Sequence, residues 1–163
     1  MSKVISLMGA VCACLPLFAA AADSIPGTPA PKVDQPEAYQ PWKAVAYAIQ
    51  EPLGGLKGNA ANGRKIAIDR SKGNCLACHV MPIQEEEFHG ELGPALGKIG
   101  KKYNEGKLRM RIVNIQEVLA DSLMPPFYMK PDKLNRVVEK YQGRTVLTAQ
   151  EVEDVVAYLT TLK

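Results

Sequence analysis

Apolar residues recur at helical spacing in several stretches of the chain, and no stretch alternates convincingly as a β-strand. Near the C-terminus, Val152, Val155, Val156, Leu159 and Leu162 fall on one helical face. Thr148 and Glu151 precede them in the T-x-x-E order of a capping box, so a helix is expected to begin after Thr148. Leu108, Ile112, Ile115 and Leu119 are three or four residues apart and predict a second helix over 105–120. A shorter helix is expected over 63–69, capped by Asn62 and ended by the Ser71-Lys72-Gly73 breaker. Between Pro41 and Leu53, the spacing of Trp42, Val45 and Ile49 predicts one short amphipathic helix, packed on the domain or on a partner. No internal repeat is present. The pattern predicts a mostly α fold.

The N-terminal stretch follows different rules. Residues 1–22 carry one charge, Lys3, then a mostly apolar run from Val4 to Phe18, then small residues from Ala19 to Ala22. That order is the one of a secretory signal peptide, cleaved most simply after Ala22. The run falls short of the roughly 20 apolar residues that span a bilayer, so no membrane span is expected after processing. Retention as an anchor, or lipoprotein cleavage before Cys14, fits the sequence less well. Five of the 12 prolines then fall between Pro26 and Pro41, which favours an extended arm over a helix. The expected organisation is a signal peptide over 1–22, a Pro-rich arm with the short helix over 23–55, and a compact domain over 56–163.

Processing changes the cysteine count. Of four cysteines, Cys12 and Cys14 lie in the signal segment, leaving Cys75 and Cys78. A pair two residues apart is poorly placed as a structural staple, so a disulfide framework is not expected. Charge adds little. A formal net charge of +3 and a charged fraction of 23% are too weakly basic to point to nucleic acid.

Residues 75–79 read Cys75-Leu76-Ala77-Cys78-His79. C-x-x-C-H is the signature of covalent haem attachment: the two thiols add to the haem vinyl groups and the adjacent imidazole reaches the iron. A thioredoxin-like redox pair would need a βαβ setting, which the helical flanks do not provide. Structural zinc would need four ligands, and only Cys75, Cys78, His79 and His89 could supply them. One covalently bound haem c is therefore expected. It also answers a question of size, because from Leu56 onward the chain has only six aromatic residues. A buried porphyrin supplies the apolar surface that such a core lacks.

The second axial ligand is more open. His89, Met81, Met110, Met124 and Met129 are the candidates. Met81 follows the motif too closely to reach around the ring, and Met110 lies in a predicted helix where a core role fits better. Met124 heads Met124-Pro125-Pro126-Phe127, and two successive prolines stiffen a loop enough to hold a thioether in place. Met124 is the expected ligand, with Met129 and His89 as alternatives. Histidine–methionine ligation fills both axial positions, which suits a carrier of single electrons. A haem sensor or peroxidase would instead need an iron site that opens. Pro94, about fifteen residues after His79, has a carbonyl free to accept the Nδ1 proton of that histidine. The basic run Lys98, Lys101, Lys102, Lys107, Arg109 and Arg111 and the acidic run Glu85, Glu86, Glu87 and Glu91 are expected to be solvated faces, or docking surfaces for a redox partner.

These motifs together resemble a class I c-type cytochrome. The flanks narrow the likeness to the sulfur-oxidation cytochrome family SoxX: Gly63-Arg64 through His79, Glu91-Leu92-Gly93-Pro94-Ala95-Leu96, Leu108-Arg109-Met110-Arg111-Ile112-Val113, Met124-Pro125-Pro126-Phe127-Tyr128 and Leu147 through Leu159. The likeness covers roughly residues 50–163. It implies a periplasmic monohaem subunit paired with the cytochrome SoxA, in a complex that joins thiosulfate oxidatively to a cysteine of the carrier SoxYZ (an L-cysteine S-thiosulfotransferase). In that family the thiosulfate chemistry belongs to SoxA, and SoxX passes the electrons to a soluble cytochrome. Carried over, Cys75 and Cys78 bind haem and His79 and Met124 are its axial ligands. No catalytic residue is expected in this chain, which has no further cysteine after processing. A free monomeric electron-shuttle cytochrome is the alternative. One departure is Ala67, which stands where class I cytochromes usually place an aromatic against the last helix, near Tyr158.

Overall fold

Helices α1 (Ala60–Ile68), α2 (Ile99–Lys102), α3 (Glu105–Asn114) and α4 (Ala149–Thr161) make up the α-helical structure of a computed structural model that describes residues 37–133 and 138–163. Among the described residues there is no β-strand, and the mostly α architecture expected from the sequence holds. The signal peptide over 1–22 and most of the Pro-rich arm lie outside the described residues. No helix among the described residues is long and apolar enough to cross a membrane.

The C-terminal helix forms as its sequence dictates. Thr148 accepts the Glu151 N–H at 3.1 Å, and the Glu151 carboxylate accepts the Thr148 N–H at 2.9 Å, closing the capping box. Val152, Val155, Val156, Leu159 and Leu162 are all buried, and each such side chain taken from water stabilises the fold by about 1.5–3 kcal/mol. Helix α1 lies against α4 at Gly63, where an added Cβ would stand 1.9 Å from the Asp154 carbonyl oxygen. Only glycine permits that approach. Ala67, one turn later, is fully buried, and Tyr158 is nearly so. Asn59, three residues ahead of the expected cap, accepts the Asn62 N–H at 3.1 Å and starts α1 earlier than the sequence suggested.

Helix α3 stops sooner than predicted. Asn104 caps its start, but Asn114 turns its side chain to the Gln116 N–H at 3.1 Å, and the chain continues as a 3-10 turn over Ile115–Glu117. A local side-chain bond of this kind competes with helical continuation. Leu119 is consequently exposed instead of completing the apolar stripe. The carbonyls left free at the end of α3 are taken by the following loop: the Phe127 N–H donates to Ile112 O and the Tyr128 N–H to Val113 O, both at 3.2 Å.

The amphipathic helix expected over 41–53 does not form. Ala46 and Tyr47 have φ of 50° and 58°, and Val45 and Ala48 pair across them as an isolated antiparallel bridge. The Ile49 N–H donates to Gly106 O at 3.0 Å instead of continuing a helix, and Leu53–Gly55 form a 3-10 turn. Ile49 is buried, Trp42 is half-buried and Val45 is exposed, so the three share no face. Tertiary bonds override the spacing here. This segment packs on the domain.

Arg109 corrects a second expectation. The sequence placed it in a solvated basic run, yet it is 1% exposed. Its Nε and Nη2 donate to Glu153 Oε1 and Oε2, each at 2.7 Å, and Nη1 donates to Ile49 O at 2.7 Å. Glu153 Oε1 also accepts the Leu53 N–H at 2.9 Å. One buried ion pair thus ties α3, α4 and the 49–53 segment together. Its neighbour Asp154 accepts from the Asn59 N–H at 2.7 Å, from Gln150 Nε2 at 2.8 Å and from Asn62 Nδ2 at 2.5 Å, fixing the start of α1.

Candidate haem-binding site

The C-x-x-C-H segment follows α1 through a short turn in which Asn74 adopts a left-handed φ of 46°. Cys75–Ala77 form a 3-10 turn, and the His79 N–H donates to Cys75 O at 2.9 Å. Cys75 and Cys78 are both free thiols. Burial pushes the Cys75 thiol up to about 11, so it is neutral at physiological pH.

Residues 90–96 run alongside this turn. The Gly90 N–H donates to Leu76 O at 2.7 Å, the Gly93 N–H to Cys78 O at 2.7 Å and the Leu96 N–H to Val80 O at 2.9 Å. The same segment brings Pro94 to His79, with Nδ1 2.7 Å from Pro94 O. A carbonyl only accepts, so Nδ1 carries the proton and Nε2 keeps its lone pair for a metal. The imidazole also rests on Gly93, where an added Cβ would lie 2.3 Å from His79 Cε1. Gly93→Ala should therefore push the ring off the Pro94 carbonyl and destabilise the protein by about 1–3 kcal/mol. Denaturant unfolding checks this, and an unchanged midpoint would mean that the turn yields without displacing the ring.

The other candidates are placed as follows. Met124 is half-buried and packs against the hydrophobic core. Met110 is fully buried in α3 and Met81 is buried after the haem motif. Met129 is half-buried. His89 Nδ1 accepts the Met81 N–H at 3.2 Å, which commits that nitrogen within its own loop. Among the described residues no group of three or more His, Cys, Asp or Glu side chains is arranged to hold a metal ion, so the four zinc candidates are not gathered.

Two thiols on one turn and an imidazole whose Nδ1 is occupied match the donor set of a covalently attached haem. Val80 and Leu92, next in the chain to His79 and to Gly93, expose 38% and 67% of their surface. Apolar side chains so placed suit the face of a porphyrin. The sequence had not marked Glu153 or Asp154, and it had set Arg109 on a solvated face. The signal was present: Arg109 shares a helical face with Ile112 and Val113, and Glu153 sits among the valines of α4. Two opposite charges inside apolar stripes of two helices point to a buried pair.

Residues 60–163 match the family model of cytochrome c. Among curated proteins none matches the chain. Among solved structures, a chain in the crystal structure of SoxXA from P. pantotrophus is 34% identical, with a TM-score of 0.67, and the match covers 75% of this chain and 94% of that one. The protein therefore belongs to the cytochrome c family, as a SoxX-like electron-transfer cytochrome with covalently bound haem c.

Proposed function

We propose that this chain is the electron-accepting monohaem subunit of a periplasmic SoxAX-type complex. Its partner is a SoxA cytochrome, which carries out the oxidative coupling of thiosulfate to the cysteine of a SoxYZ carrier. The electrons leave through a soluble cytochrome. The observation that carries the reading is the likeness to a chain of SoxXA, together with an attachment turn whose histidine is oriented by Pro94.

The chain's own residues have separate tasks. Cys75 and Cys78 would hold the haem covalently, and His79 and Met124 would ligate its iron. When bound, haem c supplies one-electron redox chemistry. Pro94 holds the His79 ring in one tautomer and makes it a stronger donor. A methionine thioether as the second iron ligand would favour the reduced state and raise the potential relative to a second imidazole. With His79 and Met124 both ligating, the protein would exclude substrate from the metal and act as a carrier.

The test is reduction of the haem by thiosulfate and SoxYZ, measured with and without a co-expressed SoxA-type cytochrome. Reduction is expected only with the partner, and the two chains should co-purify. A lone monomer at physiological concentration, reduced equally well without the partner, would favour the free shuttle. Met124→Ala should retain haem, lose the near-infrared sulfur-to-iron band and bind carbon monoxide readily in the ferrous state. Survival of that band would transfer the ligand role to another residue.

A further inference from the structure

The structure assigns a task to the segment just ahead of the 41–53 turn. We propose that Tyr39 is a positioning residue for Met124, acting through Tyr128. The inference rests on the reading of Met124 as an axial ligand and goes beyond it by naming what holds that ligand in place.

Tyr128 lies four positions after Met124 and is 1% exposed. Its ring is stacked on that of Tyr39, with centroids 5.1 Å apart and planes 14° from parallel. Its hydroxyl oxygen accepts the Gln40 N–H at 2.7 Å. Burial raises the Tyr128 phenol above its usual range, so the ring is neutral throughout the physiological span. On the other side, the Tyr128 N–H is bound to Val113 O and the Phe127 carbonyl accepts the Leu147 N–H at 2.9 Å. Tyr128 is held through its ring on one side and through the backbone on the other.

The segment that grips it is itself anchored. Glu37 Oε2 accepts the Ala149 N–H at 2.9 Å, in the first turn of α4, where a carboxylate also meets the positive end of the helix dipole. Tyr39 is then held between this anchor and the packed 49–53 segment. Between Met124 and Phe127 stand Pro125 and Pro126, whose fixed φ leaves little backbone freedom. A displacement at Tyr128 is therefore passed to Met124 instead of being absorbed on the way. Ligand dissociation from iron requires the loop to swing, and the Tyr39–Tyr128 stack opposes that swing.

The test uses haem-loaded full-length protein. Tyr39→Ala should accelerate displacement of Met124 by exogenous imidazole in the ferric state about ten-fold, the effect of losing one aromatic stack and loosening one hydrogen bond. Tyr39→Phe, which keeps the stack, should stay within about two-fold of the parent. Amide exchange at Phe127 and Tyr128 should rise in Tyr39→Ala and not in Tyr39→Phe. A general loss of stability would raise exchange across α1 and α4 as well, and that pattern would overturn the proposal. So would an unchanged imidazole rate in Tyr39→Ala with the sulfur-to-iron band intact. If the parent lacks that band, the Met124 reading fails first, and the proposal with it.

Discussion

Replacing His79 by alanine should leave almost no folded, haem-loaded protein. The imidazole packs on Gly93, donates to the Pro94 carbonyl and would offer Nε2 to the iron, so its removal deletes the orienting bond and the metal ligand together. Where ligation is part of folding, the loss of a ligand is a loss of folding free energy. The haem-to-polypeptide ratio and thermal unfolding measure the outcome. Added imidazole should partly restore a low-spin spectrum in whatever haem protein survives. A normal yield of low-spin haem protein from His79→Ala without imidazole would remove His79 from the iron.

The parts of this fold legible in the sequence are those fixed by neighbours in the chain. The capping box of Thr148 and Glu151 and the apolar face of α4 need only a few consecutive residues, and both form as expected. The position of Pro94 beside His79 follows from a short loop containing a residue with no N–H of its own. What the spacing rules misjudged over 41–53 depends on distant partners. Residues 41–53 have a helical apolar period, but the carbonyls of Ile49 and Gln50 face Arg109, and the Leu53 N–H goes to Glu153, one hundred residues away. A period counted along the chain carries no information about those groups. The end of α3 was misjudged for a local reason: the Asn114 side chain bonds the Gln116 N–H two residues on and outweighs an apolar stripe that continued in the sequence to Leu119.

The misjudged segment and the site are connected through one helix. Arg109 pins residues 49–53 from the first half of α3, while the carbonyls of Ile112 and Val113 at its end hold Phe127 and Tyr128. Residues preceding the attachment motif thus brace the helix from which the Met124 loop is hung. That arrangement explains why this segment is packed on the domain.

The Arg109–Glu153 pair should then be among the most sensitive positions away from the haem. Both side chains are almost wholly buried, at 1% and 3% exposure, and their contact is bidentate. Removing one partner leaves the other charged and uncompensated in the interior, which typically costs about 3–5 kcal/mol. Arg109→Met and Glu153→Leu should each lower stability by about that amount in denaturant unfolding. The double variant should be less damaged than the sum of the two, with a coupling of at least about 2 kcal/mol, because no lone buried charge remains. It should not return to parental stability. Ile49 O and the Leu53 N–H lose their partners in the double variant, and each stranded group costs about 1–3 kcal/mol. Additive effects of the two substitutions would mean that the charges are hydrated in solution, and that the backbone bonds alone hold the 49–53 segment to α3 and α4.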